Sequence, residues 1–219
     1  MNETRALICL FGPPGAGKGT FAEMLAERTG SAHCSIGAEM RRWSSGPLPE
    51  QRDLAESLAR GEYGTDELAM RIVEEFIAYR SSVPAVILDG MPRTKEQAEL
   101  IVARQAFGLR PVGILVDAPD EVCRIRLMSR RTCPYDGLGF RASVRICPRC
   151  GMPTEHRADD GDESSIARRL ELYRERAQPA AEAWEAAGLP MIRLENAGSL
   201  SDIAAASEDI ARSISLPWS

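Results

Sequence analysis

Lysine is almost missing from this 219-residue sequence: of its 27 lysine and arginine residues, only Lys18 and Lys95 are lysines. A lysine inside a glycine-rich run is therefore not incidental. Net charge is small as well, since 32 acidic residues set against the basic ones leave -5. That excludes a general attraction to nucleic acid or anionic lipid, while local basic clusters can still grip phosphates. Long apolar runs are absent too. The stretch Ala6 to Phe11 is far too short to cross a bilayer and runs into a glycine loop instead of a cleavage site, so a cytoplasmic protein with no membrane partner is expected. There is no low-complexity tail, and an apolar fraction of 44% argues against disorder and for one sizeable core.

What is present begins with six cysteines. Without a secretory signal, buried thiols or a metal site are expected in place of disulfides. Cys9, Cys34 and Cys123 stand apart in apolar or mixed surroundings and read as packing, whereas Cys133, Cys147 and Cys150 fall together.

The pattern of apolar residues predicts strands at Arg5 to Phe11, Ala85 to Leu88, Gly113 to Val116 and Met191 to Leu194. Helices are predicted at Thr20 to Arg28, Glu50 to Arg60, Asp66 to Tyr79, Lys95 to Phe107, Asp120 to Arg131, Ile166 to Ala187 and Leu200 to Ile214. Strands alternating with helices imply an α/β fold: a parallel sheet covered on both faces, with ligands at the carboxyl ends of the strands. Two segments interrupt the alternation. Residues 35–64 carry helices with no obvious strand, and residues 132–162 are rich in Gly, Pro, Cys, Arg and Asp. Both read as mobile insertions at the sheet's edge.

Gly12-Pro13-Pro14-Gly15-Ala16-Gly17-Lys18-Gly19-Thr20 follows the first strand and opens the first helix. Its glycines let the backbone curl so that N–H groups point at one centre, and the helix start adds its positive end. Lys18 and the Thr20 hydroxyl complete a phosphate loop that fits a nucleoside triphosphate. Asp89-Gly90-Met91-Pro92-Arg93 follows the second predicted strand. An acidic residue there is placed to hold Mg²⁺ through its waters, and Arg93 lies where two phosphates meet.

These motifs, together with Thr94, Gln97-Ala98, Gly61-x-x-Gly64-Thr65-Asp66-Glu67-Leu68, Arg126-x-x-x-Arg130-Arg131 and Arg157-x-Asp159-Asp160 leading to Arg168-Arg169-Leu170, resemble the adenylate kinase family over nearly the whole chain. The resemblance implies a P-loop core made of residues 1–34, 65–128 and 163–219. To it are added a helical monophosphate-binding segment at 35–64 and a lid at 129–162. It implies transfer of the γ-phosphoryl group of MgATP to AMP, in a chain that is most simply a monomer. Gly15, Ala16, Gly17, Lys18, Gly19, Thr20 and Arg126 then bind ATP, with Arg126 stacked on the base. Ile36, Arg41, Gly64, Gly90, Arg93 and Gln97 bind the monophosphate, with Gln97 on the adenine edge. Lys18, Asp89, Arg93, Arg130, Arg157 and Arg169 surround the transferring group. That many arginines suits a reaction in which catalysis comes from in-line placement and from cations on the phosphoryl oxygens. Arg131 and Arg168 read as solvated helix faces. His33 and His156 take no catalytic role, because a phosphate oxyanion needs no general base to attack.

The family's usual threonine and aspartate are replaced here by Ile36 and Ala38. An isoleucine makes no hydrogen bond to a base, which leaves CMP, UMP or GMP as alternative acceptors and a nucleotide-binding homologue without turnover as a further alternative. Gln97, with donor and acceptor side by side, favours adenine. Met91 for the usual phenylalanine exchanges one apolar contact for another.

In the lid, Cys133-Pro134-Tyr135-Asp136-Gly137 echoes Cys147-Pro148-Arg149-Cys150-Gly151. Cys133, Asp136, Cys147 and Cys150 make an acceptable tetrahedral set for a structural Zn²⁺. The echo and the family's lid pattern favour Asp136 as the fourth ligand over His156, a few residues beyond Cys150. With four protein ligands the ion staples the lid and takes no part in chemistry.

Overall fold

A computed structural model describes residues 5–60, 62, 64–135, 137–157, 160, 162–196 and 200–215. Its core sheet is five-stranded and parallel: β1 (Ala6–Phe11), β2 (Ala32–Ser35), β3 (Ala85–Asp89), β4 (Arg110–Asp117) and a last strand, Met191–Glu195, in the order β2, β3, β1, β4 and Met191–Glu195. Four of these strands match the expected ones. Ala32–Ser35 is a fifth, missed because Ala-His-Cys-Ser has neither a continuous apolar run nor a clean alternation.

β1 is buried along its whole length because it is central. Its side chains alternate between two cores, with Leu7, Cys9 and Phe11 on one face and Ala6, Ile8 and Leu10 on the other. The first face packs against α4 (Asp66–Ala78), α5 (Lys95–Ala103) and a later helix, Gln178–Ala186, whose Trp184 meets Phe11 edge-on at 5.5 Å between ring centres. The second packs against α1 (Lys18–Thr29), α6 (Asp120–Ser129), Glu163–Leu172 and Leu200–Ser215. Cys9, Cys34 and Cys123 lie buried in these cores, as expected of packing residues.

Between β2 and α4 the chain forms α2 (Ile36–Ser44) and α3 (Pro49–Ala59), the helices expected in 35–64. Segment 129–162 carries a small antiparallel sheet of β5 (Arg131–Thr132), β6 (Gly139–Phe140) and β7 (Glu155–His156), with β5 in the middle. Helix α6 thus stops at Ser129 and not at Arg131. Arg131 is in a strand, where its Nε donates to Thr154 Oγ1 at 2.9 Å, so it is no solvated helix face. Arg168, which pairs with Glu171 at the surface, is one. The long helix expected from Ile166 to Ala187 starts earlier and is interrupted: α7 (Glu163–Leu172), one π turn (Tyr173–Ala177) and α8 (Gln178–Ala186), before β8 (Met191–Glu195) and α9 (Leu200–Ser215). Likewise α5 ends at Ala103, capped at Arg104, and gives way to a 3₁₀ turn at Gln105–Gly108 that Gly108 closes in its left-handed conformation. Among the described residues no helix is long and apolar enough to cross a membrane.

Candidate active site

The register of the sheet sets the site. Leu10 of β1 pairs with Asp89 of β3, so the loop after β1 and the carboxylate ending β3 emerge side by side. A methyl group added at Gly19 would lie 3.2 Å from Asp89 Oδ2, which measures how close that carboxylate comes to the start of α1. The loop's glycines are required. Gly12 has φ +128 and a Cβ there would lie 1.9 Å from Val116 O, while Gly15, at φ +87, faces the backbone of Cys123 at 2.6 Å. Ala16, the next residue of the loop, is fully buried.

Lys18 folds back over the loop and donates from Nζ to Gly12 O at 2.7 Å and Pro13 O at 2.8 Å. Its ammonium is enclosed although the residue as a whole is half-buried. Burial pushes its pKa down to about 8, with Asp89 pulling the other way and Arg93 and Arg169 adding to the depression. An incoming phosphate would relieve that penalty.

A cleft of about 640 Å³ opens at this edge of the sheet. It is lined by Lys18, Asp89 and seven arginines, the six expected ones (Arg41, Arg93, Arg126, Arg130, Arg157 and Arg169) and Arg141. Gly15, Gly17, Gly19, Thr20 and Gly90 line it too. Arg41 on α2 and Arg93 after β3 converge over Gly37, since a Cβ there would sit 3.2 Å from Arg41 Nη1 and 3.6 Å from Arg93 Nη2. Arg130 Nε donates to Asp160 Oδ2 at 2.7 Å, and Arg169 Nη1 donates to the other oxygen of the same carboxylate. Asp160 is only 6% exposed, so one buried anion fixes two cations. Arg41 reaches across to segment 129–162 and donates to Gly137 O at 3.0 Å, which brings that segment against α2.

Asn196, just after β8, was not anticipated. Its Nδ2 donates to Ala16 O, its carbonyl accepts from Arg126 Nη1 at 3.3 Å and its Oδ1 from Arg126 Nη2 at 3.4 Å. It thereby ties Arg126 to the phosphate loop. A lone asparagine belongs to no motif; its position after a strand at the ligand-binding edge was the available signal.

The remaining monophosphate-side residues behave differently. Ile36 is 1% exposed within the core, and Gly64 abuts Met40 Sδ and Leu54. Gln97 is buried beside this region and holds Asp66 and the Arg93 N–H. His33 lines the cleft with Nε2 4.0 Å from Asp89 Oδ2, and burial lowers its pKa against the pull of that carboxylate.

In segment 129–162, Gly137 N–H donates to Cys133 O at 3.0 Å and Gly151 N–H to Cys147 O at 2.9 Å, so the repeated sequence forms two like knuckles. Cys133, Cys147 and Cys150 bring their sulfurs within 4.8 Å of one another, with Cys133 and Cys150 3.5 Å apart. Thiolates on a tetrahedral zinc stand about 3.8 Å apart, from Zn–S bonds of about 2.3 Å, so the trio fits such an ion. Burial opposes ionisation of Cys147, yet the N–H groups of Cys150 and Arg149 and the neighbouring thiols hold it below its ordinary value. Among the described residues no histidine or carboxylate joins the trio, His156 included. Asp136, Gly61 and Asp159 lie outside the described residues.

A family model described as Adenylate kinase matches residues 10–189. Adenylate kinases from Ruminiclostridium cellulolyticum, Kosmotoga olearia and Thermotoga petrophila are similar to the chain. The first is 35% identical over 190 residues, covering 83% of this chain and 88% of the relative. The second is 34% identical over 216 residues, covering 94% and 98%. The third is 32% identical over 194 residues, covering 84% and 87%.

Proposed function

The chain belongs to the adenylate kinase family and is a phosphotransferase, and from that premise we propose that it transfers the γ-phosphoryl group of ATP to AMP, reversibly, giving two ADP. The observation that carries this reading is the convergence of Lys18 and seven arginines on one cleft beside the phosphate loop. One triphosphate needs fewer cations; two nucleotides placed phosphate to phosphate need that many.

In this reading the N–H groups of Gly15, Gly17 and Gly19 and the Lys18 ammonium hold the β- and γ-phosphates, and Arg126 lies over the ATP base. Arg41 and Arg93, converging over Gly37, hold the acceptor phosphate with its oxyanion aimed at the γ-phosphorus. Arg130, Arg157 and Arg169 meet the charge that spreads over the transferring oxygens, and Asp160 keeps two of them in position before substrate arrives. Asp89 and Thr20 would hold Mg²⁺, which would supply neutralising charge to the phosphates. Residues 35–64 and 129–162 act as flaps over the core, and the contact from Arg41 to Gly137 is the kind of closure that keeps water from competing for the phosphoryl group. The cysteine trio would hold Zn²⁺ as a staple, with Asp136 as fourth ligand, in a segment whose interior is Thr132, Thr154 and Arg131 in place of apolar side chains.

Initial rates with MgATP and AMP, CMP, UMP or GMP test the acceptor. AMP is expected to lead in kcat/KM, and a tenfold advantage for any other refutes the AMP assignment. Lys18→Ala is expected to abolish transfer, and a wild type inert with every acceptor would leave a nucleotide-binding homologue.

A further inference from the structure

Gln97 sits in the first turn of α5, where Thr94 caps the helix by accepting from the Gln97 N–H at 3.1 Å. A glutamine three residues after a threonine cap ordinarily turns back to the cap's own N–H. Here it does not. Gln97 Oε1 accepts from the Arg93 N–H at 2.7 Å, one residue earlier, and Nε2 donates to Asp66 Oδ1 at 2.6 Å, across to the start of α4.

Both partners are chemically one-sided. A backbone N–H only donates, so it must face the amide oxygen; a carboxylate only accepts, so it must face the amide nitrogen. The amide is therefore locked in one of its two orientations. Each end keeps one unused valence, an N–H on Nε2 and a lone pair on Oε1, side by side.

We propose that Asp66 is a specificity-determining positioning residue: by locking Gln97, it makes the acceptor site select nucleobases with an exocyclic amino group beside a ring acceptor over those with an oxo group beside a ring N–H. This rests on the reading that Gln97 meets the acceptor base. Adenine and cytosine offer a ring nitrogen to the Gln97 N–H and an amino N–H to its oxygen. In the same pose hypoxanthine, guanine and uracil oppose oxygen to oxygen and N–H to N–H. A freely rotating amide would turn over and accept both classes; the charge-assisted bond to Asp66 forbids the turn, whereas the Arg93 N–H alone is one neutral hydrogen bond that a turned amide can give up. A buried mismatch of this kind leaves polar groups unpaired, the situation in which hydrogen-bonding sites discriminate most strongly. Loss of the threonine hydroxyl at Ile36 is then no obstacle to reading adenine, because the reading is done from α5.

The test uses size-matched pairs, AMP against IMP and CMP against UMP, with MgATP and the wild type, Asp66→Ala and Asp66→Asn. In each pair the wild type is expected to favour the amino base by at least tenfold in kcat/KM. In both variants that ratio is expected to shrink about tenfold, the oxo base gaining relative to its partner. Asp66→Asn keeps the shape of the residue should Asp66→Ala fail to fold, and its own amide can turn to suit either orientation of Gln97. A merely structural role would lower both members of a pair alike. Ratios unchanged in the folded variants overturn the role of Asp66 and leave the kinase standing, as does a wild type that uses IMP as well as AMP. A wild type that phosphorylates none of the four sinks the kinase reading and this inference together.

Discussion

Replacing Lys18 by methionine removes the charge and keeps an unbranched chain of similar length, which isolates the electrostatic cost of an empty phosphate site. In the ligand-free protein, burial pushes the Lys18 pKa from 10.5 to about 8, while in the unfolded chain it keeps its ordinary value. Between those two values the unfolded state binds more protons than the native state, so stability rises with pH across that window. Below it the native protein carries the whole penalty of a charged, enclosed ammonium. At 1.36 kcal/mol for each pKa unit, the penalty at pH 7 is about 3 kcal/mol, of which about 2 kcal/mol is relieved by pH 9.5. The methionine variant has no such titration. Urea unfolding of both proteins at a series of pH values, followed by far-UV circular dichroism, reads the difference directly. Wild-type stability minus that of Lys18→Met is expected to climb by about 2 kcal/mol from pH 7 to pH 9.5. Saturating ATP should flatten the climb, since phosphates favour the protonated amine. A difference that stays level or falls without nucleotide would refute the idea that an unmet charge is stored at this loop.

Asp160→Asn keeps the shape and removes the charge that fixes Arg130 and Arg169; kcat is expected to fall by about a hundredfold, with smaller changes in KM, in steady-state assays. Prolonged chelation is expected to lower the calorimetric unfolding temperature by several degrees, and Cys147→Ser to do the same without chelator, while a metal content near zero in protein purified without chelator rules zinc out. Gly12→Ala sets a methyl group 1.9 Å from Val116 O at a φ of +128, so it should lose about 3 kcal/mol or more of stability, read as a shift of the urea midpoint, and nucleotide affinity with it.

The parts of the molecule legible in the sequence are those where one physical demand governs a run of residues. β1, β3 and the middle of β4 are read from apolar runs because parallel strands buried on both faces tolerate little else, while β8, half-buried at the sheet's edge, is read from Met191, Ile192 and Leu194. The phosphate loop is legible because only glycine fits at positions such as Gly12 and Gly15. The cysteine repeat is legible because two knuckles of the same geometry need the same residues. Strand β2 escaped because it is short, partly polar and lies at the sheet's edge, where pairing with β3 supplies what propensity does not. The π turn at Tyr173–Ala177 escaped because Ile166 to Ala187 keeps a helical pattern throughout, and one extra residue in a turn leaves no local mark. Asp160 was visible inside a motif, but its duty was not; that depends on Arg130 and Arg169 arriving from distant parts of the chain at the same carboxylate. Asn196 carried no signal beyond its place after a strand.

These placements share a logic that explains how a cleft so rich in like charge stays folded without substrate. The cations are set on partners that a phosphate outbids. Lys18 rests on two carbonyl oxygens of its own loop, Arg126 on the carbonyl and amide oxygens of Asn196, and Arg41 on the carbonyl of Gly137. Each is a neutral acceptor, and a phosphate oxygen adds the Coulomb attraction of a full negative charge to the hydrogen bond. Arg130 and Arg169 face one full negative charge and share it, so Asp160 aims them without satisfying both. Nucleotide binding is then an exchange of weak partners for strong ones at several points together. On the proposed reading the Arg41 contact makes the exchange mechanical as well, because an acceptor phosphate that takes that guanidinium also takes the hold of α2 on the Cys133 knuckle, which couples acceptor binding to the position of segment 129–162 through one side chain.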